Sequence, residues 1–319
     1  MAAISLSSNN TISDADWEKH FSGWAGPPGK TEQNRCENAI SAIKNAIGRS
    51  AKLKSRRIKV FTQGSYRNRV NIRQDSDVDI GVLCPDTYYF RLPSGKTESQ
   101  VGITDGPAEY QYADFKNDLE EALVNYFGRS AVARGNKALK VHETSYHVDA
   151  DVVPVFEFRS YSESGWYYAG VALRPDKGGR IENFPERLRD DWPNTPLHYE
   201  NGVNKNTATG RRYKSVVRII KKLRHILDES GSSEAKTIPG YLIESMVWNV
   251  DDSNFNGKSW LEIVRSVLLA IWSATESDDS CKDWCEVDDI KFLFRPAQPW
   301  TREQARAFTL KAWSLIGIK

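Results

Sequence analysis

Between residues 75 and 84 the chain reads DSDVDIGVLC, and only an extended backbone sorts that string into an acidic set and an apolar set. Successive side chains of a strand point to opposite faces, so Asp75, Asp77 and Asp79 share one face while Val78, Ile80 and Val82 share the other. The apolar face must be buried, and the acidic face must look onto water or cations. The pattern returns in HVDADVVPVF, where Asp149 and Asp151 alternate with Val148, Ala150 and Val152. A strand adjacent to the first acidic one is expected there, with both acids pointing the same way.

Two carboxylates two residues apart on a strand suit hard divalent cations, which take oxygen ligands and keep places for water or substrate phosphate. Asp77 and Asp79 are therefore candidate metal ligands and catalytic residues for phosphoryl transfer. A two-cation site needs a third carboxylate, for which Asp151 is the choice. Asp149 reads either as a supporting acid or as a solvated one. Upstream, Gly64 can let backbone N–H groups approach a phosphate, and the Ser65 hydroxyl can cap a helix start or bind a phosphate oxygen. Mg2+ is the expected cofactor, as two ions, with Mn2+ as a substitute.

At 319 residues, with 39% hydrophobic and 27% charged residues, the chain is an ordinary globular protein of one large or two modest cores. The formal charge of +2 argues against nucleic-acid binding over the whole surface. The N-terminal MAAISLSSNNTISDADWEKH carries no basic-then-apolar segment, and no apolar run reaches membrane-spanning length. A cytoplasmic protein with no membrane partner is expected. Cys36, Cys84, Cys281 and Cys285 lack zinc-site spacing and read as reduced structural thiols.

Residues 1 to about 30 end in the Gly/Pro cluster GWAGPPGK and are not assigned an element. Helical periodicity marks 31–51, 113–127 and 210–228, and three more helices in the C-terminal third, the last capped by Thr301 with Glu303 and Gln304. The basic run Lys52, Lys54, Arg56, Arg57 and Lys59 reads as a solvated loop and strand edge. PDTYYFRLPSGKTESQVGITDGPAEYQ reads as a surface excursion, YSESGWYYAGVAL as a strand pair, and 174–202 as an extended crossing containing Asn183-Phe184-Pro185. In the 210–228 helix, Lys214, Arg218, Lys221 and Arg224 fall largely opposite the core side, giving one exposed basic face.

The runs GSYRNRVNIRQDSDVD, KALKVHETSYHVDADVV, PLHYENGVNKN and YKSVVRIIKKLR resemble the bacterial cGAS/DncV-like nucleotidyltransferases, clade E in particular. The resemblance spans Thr31 to Phe255. It implies an α+β fold: a polymerase-β-like nucleotidyltransferase core with a mixed β-sheet at 1–175, a helical C-terminal domain at 176–319, and an active-site cleft between them. It further implies a cyclic dinucleotide made from NTPs as an anti-phage signal. Asp77, Asp79 and Asp151 would be the metal ligands, Gly64 and Ser65 the donor triphosphate contact, and Lys214 and Lys221 further triphosphate contacts. Asn183 matches a position that goes with pyrimidine recognition, so UTP and ATP are the expected substrates and cyclic UMP–AMP or cyclic di-UMP the product. The implied partners are an effector protein reached through the product and, compatibly, an RNA activator. The rival readings are an RNA-tailing or small-molecule nucleotidyltransferase with the same three acids, and a catalytically silent RNA-binding module.

Overall fold

The computed structural model describes residues 12–72, 77–184 and 198–317. Their packing separates two units. One holds 29–67 and 77–184; the other holds 12–28, 68–72 and 198–317. The N-terminal helix lies in the same unit as the C-terminal helices.

The first unit contains α2 (Lys30–Arg49), β1 (Lys59–Gln63), the single turn α3 (Gly64–Arg67), β2 (Val78–Arg91), α4 (Tyr112–Phe127), β3 (Val132–Arg134), β4 (Leu139–Val141), β5 (Ala150–Tyr161), β6 (Tyr167–Leu173) and β7 (Ile181–Asn183). The strands form one mixed sheet in the order β1-β2-β5-β4-β3, and β6 and β7 extend it from the far half of β5. β2 and β5 run parallel; the other pairs are antiparallel. Val78, Ile80, Val82, Ala150, Val152 and Phe156 are buried together with Ile43 and Ile47 of α2 and Phe115, Leu119 and Leu123 of α4. Phe115 stacks on Phe156 at 5.6 Å. Each such side chain stabilises the fold by about 1.5–3 kcal/mol when fully buried. That burial is what turns the alternate residues, the acids among them, to the other face.

β2 runs on into the stretch expected as a surface excursion, PDTYYFRLPSGKTESQVGITDGPAEYQ. A register shift between Cys84 and Tyr88 lets the strand resume beside β5 as far as Arg91, so Pro85, which has no N–H to give a ladder, falls within the irregular stretch. β7 likewise forms inside the stretch read as an extended crossing, paired to β6 through Val171 and Asn183. The basic run is solvated as read, with Lys52, Lys54, Arg57 and Lys59 exposed, and part of its charge is paired: Lys52 with Asp118 and Glu121, and Arg56 and Arg57 with Asp86.

The second unit contains α1 (Asp14–Ala25), α5 (His198–Ala208), α6 (Tyr213–Glu229), α7 (Ser233–Lys236), α8 (Gly240–Asn249), α9 (Trp260–Ala274) and α10 (Arg302–Leu315). Ser13 caps α1 by accepting the Asp16 N–H, and Trp17 and Phe21 enter the helical core with Val216, Val217, Ile220 and Leu223. Buried Arg218 donates to the Ala25 carbonyl at the C-terminus of α1 and to the Arg69 carbonyl, a cation at the negative end of a helix. The capped start of α10 is as expected, with Thr301 and Gln304 exchanging hydrogen bonds. All four cysteines are free thiols. Among the described residues no helix is long and apolar enough to cross a membrane.

One carboxylate in this unit sits against its own chemistry. Asp288 is buried beside Glu286, and burial first, then that neighbouring charge, pushes its carboxyl up to about 6. An acid raised in the folded state contributes stability that is complete below its unfolded value and lost as pH rises through about 6. Asp288→Asn, which keeps an acceptor for the Ile290 N–H, should therefore melt above wild type at pH 8, with the gap closing toward pH 4. Thermal melts of both proteins across that range check it; a gap independent of pH would contradict it.

Candidate active site

β1 ends at Gln63, opposite Asp79 of β2; Asp79 lies opposite Asp151 of β5; and Asp151 lies opposite Lys140 of β4. Register partners in a sheet share a face, so these four side chains form a row across it. Neighbouring strands are about 4.8 Å apart, which places the Asp79 and Asp151 carboxylates within reach of one small cation or of two side by side. Asp77 precedes the first residue of β2 and falls on the same face by alternation, with its side chain 56% exposed. Asp75, expected to share that face, lies outside the described residues.

Gly64 follows β1 directly and has φ +67°, in the left-handed region. A Cβ built there would lie 2.1 Å from Oδ2 of Asp79, so the backbone of Gly64 is pressed against the carboxylate and only glycine fits. Ser65 comes next, half-buried at the start of α3.

Two residues at this site carry roles that the strand pattern does not show. Lys140 places its Nζ 2.8 Å from Oδ2 of Asp149 and 3.7 Å from Oδ2 of Asp77. The Asp149 hydrogen bond, opposed by partial burial and assisted by the charges of Asp77, Asp149 and Asp151, holds the ammonium above the usual lysine range. Burial works to raise the Asp149 carboxyl, but hydrogen bonds from Lys140 and from the Glu143 N–H outweigh it and hold Asp149 low. The open choice for Asp149 thus closes in favour of a partnered acid. The signal for Lys140 in the sequence is weak: one lysine on the three-residue strand β4.

Asn183 is exposed at the end of β7. It lies opposite Val171, which lies opposite Glu157, and Glu157 is on the same face of β5 as Asp151. The amide therefore projects from the acidic face of the sheet, six residues along β5 from Asp151, or roughly 20 Å. Its backbone is seated by Gly170, where a Cβ would lie 2.5 Å from the Asn183 carbonyl oxygen and 2.7 Å from the Phe184 ring. Phe184 itself is buried edge-on to Phe158 at 5.9 Å. Pro185 lies outside the described residues.

In the helical unit, Lys214, Arg218 and Lys221 of α6 are 8%, 5% and 7% exposed, so the basic face read as exposed is instead interior. The physical reason is a buried counter-acid. Glu244 of α8 sits 2.9 Å from Nε2 of His198 and 3.9 Å from Nζ of Lys221. Burial opposes its ionisation, yet His198, Lys221 and Lys214 together hold the carboxyl below the usual range. Lys214 also lies over the ring of Tyr199 at 5.4 Å.

Residues 200–317 match the cGAS/DncV-like nucleotidyltransferase C-terminal helical domain. The chain is 42% identical to a cyclic dipyrimidine nucleotide synthase, CdnE, of Legionella pneumophila, over 94% of this chain and 98% of that protein. Its structure is similar to that of the Elizabethkingia meningoseptica CdnE cyclic dinucleotide synthase with GTP and Apcpp (TM-score 0.77, 31% identity, 94% of this chain and 99% of that one). It is similar as well to the Rhodothermus marinus CdnE c-UMP-AMP synthase with Apcpp and Upnpp (TM-score 0.76, 29% identity, 97% and 98%). A mixed sheet with two acids abreast, a glycine held against one of them, and near full-length identity to a synthase converge on one assignment: the chain belongs to the cGAS/DncV-like nucleotidyltransferases.

Proposed function

We propose that this protein joins two nucleoside triphosphates into a cyclic dinucleotide containing a pyrimidine, with UTP and ATP as substrates. The observation that carries the reading is the register of β2 on β5, which sets Asp79 beside Asp151 on the open face with Gly64 against Asp79. Relatives that make dipyrimidine and UMP-AMP products support the choice of base.

The chemistry is a pair of displacements. A ribose hydroxyl of one nucleotide attacks the α-phosphorus of the other; the new P–O bond forms as the bond to pyrophosphate breaks. A second attack closes the ring, and a second pyrophosphate leaves. Among the described residues no three acids are already gathered as a cation site; Asp77, Asp79 and Asp151, with oxygen donors on one face of two adjoining strands, are the residues that would close on a divalent pair. Mg2+ or Mn2+ held there would supply positive charge against the triphosphate and acidify the attacking hydroxyl. Asp151, across from Asp79, receives the hydroxyl proton in this reading. Gly64 and Ser65 hold the donor triphosphate through backbone N–H groups and a hydroxyl. In this reading Lys214 and Lys221 are further triphosphate contacts.

Asn183 is proposed to read the base. An amide offers a donor and an acceptor side by side, matching the adjacent O4 and N3–H of uracil, and Gly170 and Phe184 seat the backbone that carries it. We place the enzyme in the cytoplasm, with its product carrying an anti-phage signal to a separate effector. An RNA activator would find little purchase on Lys52, Arg56 and Arg57, whose charges are taken up by neighbouring acids.

Incubating the pure protein with labelled NTPs, singly and in pairs, and identifying the product by mass spectrometry tests the reading. A cyclic product containing uridine is expected without any added acceptor; an all-purine product would remove Asn183 from the site, and a product that needs added RNA would overturn the cyclase. Asp77→Asn and Asp79→Asn should each lower turnover by at least about a hundredfold, as loss of a charge-stabilising group does, with melting temperature little changed. Asn183→Ser should shift incorporation from UTP toward ATP, read as the ratio of the two kcat/KM values; an unchanged ratio would make Asn183 a turn residue.

A further inference from the structure

Asp149 has both carboxylate oxygens engaged. Oδ1 accepts the Glu143 N–H at 2.5 Å, and Oδ2 receives the Lys140 ammonium at 2.8 Å. Its backbone carbonyl accepts the Val78 N–H at 3.0 Å, tying it to the start of β2 between Asp77 and Asp79. The turn that leads from Lys140 to Asp149 is itself anchored. Arg35 of α2 donates to Glu143 at 2.9 Å and to the carbonyls of Thr144 and His147, and Asn38 donates to the Tyr146 carbonyl. An acid held this way cannot serve a cation without giving up its partners. What it does hold is an ammonium group, at one end of the acidic row.

The Lys140–Asp149 contact is a short, charge-assisted hydrogen bond, whereas Lys140 to Asp77, at 3.7 Å, is an attraction without one. Carboxylates gathered on one face repel each other, and a cation at this distance offsets that repulsion through a partly aqueous medium. The same cation opposes any divalent ion that arrives. Where the ammonium rests is therefore decisive: on Asp149 it steadies the row from outside, and on Asp77 or Asp151 it would occupy the ligands.

We propose that Asp149 and Lys140 form a positioning pair for the acidic site, in which Asp149 parks the Lys140 ammonium beside the row, close enough to offset repulsion among Asp77, Asp79 and Asp151 and held back from displacing incoming divalent cations. The inference rests on those three acids being the cation ligands. It assigns Lys140 and Asp149 no contact with substrate. Lys140→Met removes a competitor for cations. Asp149→Asn keeps an oxygen for the Glu143 N–H but loosens the ammonium, which moves onto the ligands.

The test is a double-mutant cycle read by Mn2+ titration calorimetry, with a non-hydrolysable UTP analogue present and no turnover. Lys140→Met should tighten Mn2+ binding by about 3- to 10-fold, the effect of deleting one positive charge several ångströms away. Asp149→Asn should weaken it by a similar factor, and the loss should be smaller when Lys140 is already Met, because no ammonium is then released. Equal losses in both backgrounds, or a weakening caused by Lys140→Met, would overturn the pair. Lys140→Gln, at a side chain 38% exposed, repeats the measurement should the Met variant misfold. Asp77→Asn separates the two levels: if it leaves Mn2+ binding intact, the assignment of the ligands fails, whereas if it abolishes binding and the cycle is additive, only the pair fails.

Discussion

Parallel pairing of β2 with β5 in one register is the constraint on which the site depends. Val78, Ile80 and Val82 on one strand and Ala150 and Val152 on the other must all go beneath α2 and α4, and with a period of two this leaves Asp79 and Asp151 no face but the open one. A slip of one residue in either strand would bury that strand's acid and expose its apolar set. The hydrophobic core thus does the aiming, and no separate device is needed to bring the carboxylates abreast.

Gathering like charges has a cost, and the surroundings show how it is met. Gly64 brings backbone, with no side chain, against the Asp79 carboxylate, and Lys140 brings a cation to the end of the row. The helical unit repeats the principle with the sign reversed. There two lysines of α6 lie in the interior, and the buried carboxylate of Glu244, itself held by His198, provides the opposing charge. In both places gathered charge of one sign is tolerated because a group of opposite sign stands nearby.

The acidic strands were legible because their signal is local: an alternation readable in ten residues. So were α2, α4 and α10, whose periodicity and capping residues lie close together in the chain. α1, in a stretch to which no element is assigned from sequence, carries a usable signal in Ser13 and in the spacing of Trp17, Phe21 and Trp24, and the Gly/Pro cluster after it marks its end. The burial of Lys214 and Lys221 was not legible. A helical wheel shows a basic face, and nothing on α6 itself announces that Glu244 will lie opposite. Lys140 was hidden for the same reason, since its meaning comes from the β4–β5 register and a turn anchored by Arg35. Asn183 could be singled out only by resemblance; that it projects from the acidic face follows from two strand pairings that its neighbours in the chain do not encode.

The most direct measurement is a crystal structure of the protein grown with Mn2+ and a non-hydrolysable UTP analogue, with anomalous scattering recorded to locate the cations. Anomalous peaks bounded by the carboxylates of Asp77, Asp79 and Asp151, with the triphosphate reaching Gly64 and Ser65, are the expected result. Cations bound elsewhere with those three acids unoccupied, or an analogue whose phosphates lie on the opposite face of the sheet, would contradict it.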